Sequence, residues 1–203
     1  VPRSTAATRQ AGGDLAFMRL PVVWWCFAFF LLSTMTLAVI QSFAPSIMKA
    51  VHGVSVEVAT LTVSAYMLCG ALGMLVGGFV AAANPMSSDR VVALAMSAGA
   101  LLLLVCATGW LGGQGTLVAL AITGFAVGVG GPSRDMMIKK ATPKGATGRV
   151  YGTVYSGLDL GFALSPALFG LLMDRGWYAT TLAGAALVLG LSVVAAVGVG
   201  RRT

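Results

Sequence analysis

Charge is what this sequence has least of. Of its 203 residues 9% are charged, six Asp+Glu against thirteen Lys+Arg, and histidine occurs once. A soluble domain carries roughly 25% charged residues, so these side chains cannot give a globule of this size a solvated surface. The same scarcity removes most enzyme chemistry. The chain has no phosphate loop, no nucleotide-binding glycine pattern and no zinc signature, and no Ser/His/Asp set assembles around the single His52. The three cysteines, Cys26, Cys69 and Cys106, sit inside apolar runs far apart in sequence. That spacing suits neither a disulfide framework nor a metal site, and they read as small buried hydrophobes. The expectation is a non-enzyme with no metal and no cofactor.

What the sequence has in quantity is apolar length. It is 58% hydrophobic with a mean hydropathy of +0.91, and it holds 27 glycines. A bilayer core about 30 Å thick needs ~20 apolar helical residues at 1.5 Å rise each. Six segments approach or exceed that length, at about 21–47, 58–83, 91–110, 116–132, 150–173 and 178–199. A transmembrane barrel would instead show alternating segments of ~10 residues, and none occurs. The predicted fold class is therefore all-α and integral to a membrane, with the bilayer itself as a partner. Residues 1–20 are polar and read as a cytoplasmic linker, and 201–203 as a cytoplasmic tail. The linker is basic, but the apolar run after it exceeds the 7–15 residues of a signal-peptide core, so the first span reads as a retained helix.

The distribution of positive charge predicts the orientation. Six spans put both termini on the side of the second and fourth joints. That side holds Arg3, Arg9, Arg19, Arg90, Arg134, Lys139, Lys140, Lys144, Arg149, Arg201 and Arg202, whereas the opposite joints hold Lys49 and Arg175. Cytoplasmic loops collect Lys and Arg, so both termini are expected in the cytoplasm, with the protein in the plasma (inner) membrane. The basic residues form no dense patch interleaved with aromatics, which argues against a nucleic-acid partner. Trp24, Trp25, Trp110, Trp177 and Tyr178 lie at span ends, where an aromatic belt belongs.

Inside the spans, small residues recur four apart at Gly73/Gly77, Gly124/Gly128 and Gly157/Gly161, a spacing that lets helix backbones approach closely. Pro45 and Pro166 interrupt the first and fifth spans, and each removes a backbone hydrogen bond and favours a kink. In the fifth span Tyr151, Tyr155 and Asp159 fall at i, i+4 and i+8, along one helix face. Asp159 is the only acidic or basic residue well inside any span, ten residues past Arg149, or roughly 15 Å along the helix. A carboxylate there costs ~2.5–3.5 kcal/mol on insertion scales and is expected to face the bundle interior or water. It reads either as a proton relay, coupling or substrate group, or as a structural acid tying down Gly157–Gly161. Thr34, Gln41 and Pro45 share a face of the first span, and Thr62, Tyr66, Gly73 and Gly77 share one of the second. These faces suit a cavity lining or interhelical hydrogen bonds. His52 reads as a joint residue rather than a ligand.

A family resemblance lies in the fourth joint and fifth span. Gly131-Pro132-Ser133-Arg134-Asp135, Ala141 to Ala146, and Gly148-Arg149-Val150-Tyr151-Gly152 continue through Asp159, Gly161, Pro166 and Gly170 to Asp174. These residues resemble the tenth and eleventh helices of a major facilitator superfamily transporter, and residues 20–200 as a whole resemble its C-terminal six-helix half. The resemblance implies half of a twelve-helix bundle that moves a small-molecule substrate by alternating access. It also implies a gating role for charges at the cytoplasmic end, where Asp89, Arg90, Arg134 and Asp135 would form a cluster. The second joint departs from the family pattern, because Gly77 and Gly78 stand further than usual from Asp89, and Val91-Val92 replace the usual trailing Gly-Arg-Arg. Substrate sites in such carriers lie between two halves. The expected partner is therefore a missing N-terminal half or a second copy of this chain, and the chain reads either as a fragment or as a self-assembling half-transporter. A membrane scaffold or partner subunit is the alternative function.

Overall fold

The computed structural model describes residues 20–83, 88–142 and 147–200. The proposed tail, all but the last residue of the linker, and parts of the second and fourth joints lie outside the described residues. So do Arg3, Arg9, Arg19, Lys144, Arg201 and Arg202. The described chain forms six helices, α1 (Pro21–His52), α2 (Val56–Ala83), α3 (Ser88–Ala107), α4 (Gly112–Ala141), α5 (Thr147–Asp174) and α6 (Tyr178–Gly200). Each is long and apolar enough to cross a membrane, so the fold is an all-α membrane bundle.

Helix ends follow local chemistry. α1 starts on Pro21, a residue suited to the first turn because its missing N–H would be unpaired there in any case. The helix runs through Pro45 and stops at Gly53, whose φ of 60° closes it with an N–H to Lys49 O bond of 3.0 Å. Such a left-handed cap is cheap only for glycine. α3 begins at Ser88 with Asp89 in its first turn, where the helix dipole favours an acid. It ends at Ala107, and the backbone then turns at Gly109, with φ 72°, just before Trp110. α4 departs most from the sequence expectation, continuing past Pro132 through Ser133–Lys140, a stretch read as joint. Met137 and Ile138 on that extension are buried, and Lys139 and Lys140 occupy the last turn, where cations suit the dipole. One apolar face and a favourable end keep the segment helical outside the apolar span.

Two helix pairs pack backbone to backbone. Gly73, Gly77, Gly124 and Gly128 join α2 to α4, each at a site where an added Cβ would run into the backbone of the facing helix. At Gly157 and Gly161 the carbonyl oxygens of Phe27 and Leu31 on α1 lie 2.9 and 2.7 Å from the place of a Cβ. Lipid supplies no hydrophobic force between helices, and small residues make up for it by close van der Waals approach. Two buried bonds add to this. Ser165 Oγ donates to Met35 O at 2.9 Å, between α5 and α1, and Thr36 Oγ1 donates to Ala185 O at 3.0 Å, between α1 and α6. α3 packs on α4 and α6. Leu68 and Phe79 of α2, Leu94 of α3 and Leu187 of α6 are among the large apolar side chains left exposed. Apolar exposure on this scale marks a surface made for lipid rather than water.

Candidate functional site

A cavity of about 390 Å³ opens among five of the helices. Ser33, Thr34 and Leu37 of α1 line one wall, and Leu158 and Phe162 of α5 line another. The stretch from Tyr66 to Met74 of α2 and from Gly124 to Arg134 of α4 contributes the rest, with Met96 of α3 behind. On α1, α2 and α5 these residues fall near the middle of the helix, so the cavity sits at mid-height in the bundle. Glycine packing creates this space. Gly70, Gly124 and Gly128 bring the α2 and α4 backbones together and leave no side chains of their own to fill the volume. The cavity is within the ~300–1,000 Å³ range of small-molecule sites and, like them, mostly apolar.

Three prolines modify its walls. A proline has no N–H, so the carbonyl four residues earlier loses its intrahelical donor. Pro132 and Pro166 do this to Gly128 and Phe162, both of which line the cavity. Pro45 does it to Gln41, whose Nε2 donates to Sδ of the lining residue Met67 at 3.7 Å. Pro45 and Pro166 were expected as kink sites, and Pro132 was assigned to the end of a span. Pro132 and Pro166 thus weaken two walls beside the cavity, whereas Pro45 lies about two turns beyond the lining of α1.

At one end of the cavity the lining residue Arg134 meets a group of aromatic rings. The Arg134 guanidinium lies 4.5 Å from the centre of the Phe30 ring, which is 5.3 Å from Tyr155, and Tyr155 stacks on Tyr151 at 5.8 Å. Arg134 Nε donates to Asp135 Oδ1 at 3.3 Å. A cation over an aromatic face gains ~0.5–2 kcal/mol as water is excluded, so the cluster is a cohesive plug at the end where α1 and α5 begin and α4 ends.

The residues anticipated from sequence separate into several groups. Thr34 and Arg134 line the cavity, and Tyr155 and Tyr151 belong to the plug rather than the lining. Gln41 is exposed beside Met67. Asp159 is also exposed. At 100° per residue, α5 presents Gly152, Ser156, Asp159 and Ala163 as a small-residue stripe between its cavity face and a lipid-suited stripe of Leu160, Leu164, Leu168 and Leu171. The four anticipated gating charges do not form one cluster. Arg134 and Asp135 pair, whereas Asp89 lies against the end of α6, its Cβ and Oδ2 each 2.8 Å from where a Gly200 Cβ would stand, and Arg90 is exposed. His52 Nε2 and Thr116 Oγ1 are 3.1 Å apart, linking α1 to α4 at the opposite end. Among the described residues no three His, Cys, Asp or Glu side chains gather into a metal site. Phe30, Met67, Met74, Met96 and Phe162 were missed, because a Phe or Met inside an apolar span carries no mark distinguishing a cavity wall from core.

No curated protein matches the chain. The family model of the Major Facilitator Superfamily matches residues 23–203, nearly the whole of the six-helix bundle. With its membrane-length helices and mid-height cavity, the chain belongs to the Major Facilitator Superfamily of membrane transporters.

Proposed function

We propose that this chain moves a small solute across the membrane by alternating access, with the mid-height cavity as the site that faces first one side and then the other. The observation that carries this reading is the cavity itself, bounded at one end by the Arg134–Phe30–Tyr155 plug. A secondary carrier needs a central site and a removable barrier on each side of it. The two tightly packed pairs, α2 with α4 and α1 with α5, suit rigid-body movement, and Pro132 and Pro166 beside the cavity give those bodies places to bend. No bond-making chemistry is needed, and the role is transport rather than catalysis.

In this reading the plug end is cytoplasmic. Arg90, Arg134, Lys139, Lys140 and Arg149 lie there and Lys49 and Arg175 at the other end, as the positive-inside bias requires in a plasma (inner) membrane. Asp159 serves as the coupling group, taking up and releasing a proton. Its place among Gly152, Ser156 and Ala163 suits a protein-facing stripe, since a carboxylate is poorly tolerated against lipid. A second six-helix bundle, an N-terminal half or another copy, packs along that stripe and completes the cavity. The test is uptake of a panel of sugars, organic acids and amines into vesicles containing the protein, with and without an imposed proton gradient. Gradient-driven accumulation of one solute class, abolished in Asp159→Asn with folding preserved, is expected. Unchanged uptake in Asp159→Asn ends the coupling assignment, and no uptake by any vesicle ends the transport reading in favour of a scaffold.

A further inference from the structure

We propose that the cavity selects an amphipathic organic anion, its carboxylate bound by Arg134 and its apolar body held against Met67, Met74, Met96 and Phe162. This substrate class rests on the reading that the cavity is the transport site. Arg134 is the one charged residue among those lining the cavity. Its side chain is 22% exposed, so its charge is only partly solvated.

The geometry leaves this cation available. An arginine carries five N–H donors in a planar fork. Asp135 takes the Nε donor from the side at 3.3 Å, and the Phe30 ring lies 4.5 Å from Cζ. Among the described residues neither Nη group has an acceptor, so the end-on pair of N–H groups, one from each Nη, that matches a carboxylate edge in bidentate fashion is open. Asp135, itself 49% exposed, holds the fork in place without occupying it. Met67 and Met74 of α2, Met96 of α3 and Phe162 of α5 supply apolar contact around the same cavity. Three methionines make it adaptable, since an unbranched thioether chain repacks around bodies of different shape. A cation's ligand must bring negative charge, and a dry wall disfavours a second charge or a heavily hydroxylated body. The chemistry selects a monoanion with an aromatic or branched aliphatic body.

The test uses this chain in lipid nanodiscs and a pair of near-isosteric probes, phenylbutyrate and phenylbutyramide, titrated by calorimetry. A charge-assisted pair outweighs a neutral hydrogen bond by enough for the acid to bind at least about tenfold more tightly than the amide. In Arg134→Gln that preference collapses to parity, while the amide binds as before. In Arg134→Lys, which keeps the charge and loses the fork, the preference is intermediate. The probe pair on the unaltered protein needs no mutant to fold. Equal binding of acid and amide there, or failure of either to bind, overturns the proposal. A preference that survives Arg134→Gln overturns it as well. The two readings fail separately. An acid preference without vesicle uptake removes the transport reading and keeps the anion site, whereas gradient-driven uptake of sugars or amines with no acid preference does the reverse.

Discussion

Replacing Gly77 with alanine, and separately its neighbour Gly78, sets two adjacent residues of α2 against each other. A Cβ at position 77 would lie 2.9 Å from both C and Cα of Val129 on α4, with the Val129 carbonyl oxygen closer still. Contacts become ordinary near 3.4 Å, and the carbonyl oxygen, as the nearest atom, sets the shift: the helices must part by about 1 Å. Every obstructing atom is backbone, so no rotamer change relieves the clash, and the shift spreads to the other glycine contacts of the pair. Overpacking of this kind costs about 1–3 kcal/mol, and the backbone obstruction puts Gly77→Ala at the upper end. At position 78 no atom lies within 4 Å of the added carbon. There alanine removes only glycine's excess freedom, a gain of up to about 1 kcal/mol in a helix interior. Thermal unfolding in detergent, followed by intrinsic tryptophan fluorescence, reads both variants. At roughly 2–4 °C per kcal/mol for a chain of this size, Gly77→Ala should melt several degrees lower and Gly78→Ala level with or above the parent. Equal midpoints, or a higher one for Gly77→Ala, would refute the backbone-contact account of the α2–α4 pair.

Two further substitutions test other contacts. Ser165→Ala removes the buried bond to Met35 O between α5 and α1; a loss near 0.6 kcal/mol, the average for such bonds in membranes, is expected in the same melting assay. Thr116→Val uncouples α4 from His52 at the end away from the plug. It should cost about 0.5–1.5 kcal/mol and leave the acid-over-amide preference untouched, because neither residue reaches the cavity.

The six spans were legible because bilayer thickness imposes a length that composition alone reveals. The glycine pairs were legible as spacing, and they fall on the α2–α4 and α1–α5 contacts. The extension of α4 beyond Pro132 was not. A proline followed by polar residues reads as a stop, and only the burial of Met137 and Ile138 against the bundle shows why the helix continues. Arg134 was recognised as significant and assigned to a gate, since position along a span does not tell how far a long side chain reaches. The structure directs it into the cavity as well as the plug. Asp159 drew attention by its depth, and its exposure follows from a feature hidden in one dimension. The α1-facing stripe of Val154, Gly157, Gly161 and Ser165 is buried, and Asp159 points well away from it.

The central claim is that the mid-height cavity is reached from both sides of the membrane in turn. It is tested most directly by a cysteine at Leu158, in a chain with Cys26, Cys69 and Cys106 replaced by alanine. A membrane-impermeant methanethiosulfonate is applied to right-side-out and to inside-out vesicles, with Leu164→Cys on the leucine stripe as the unreactive control. Alternating access predicts that the Leu158 position reacts from either side, and that a transported solute speeds labelling from one side while slowing it from the other. Reaction from neither side, at a rate no greater than the control, would contradict the account and leave a closed membrane scaffold.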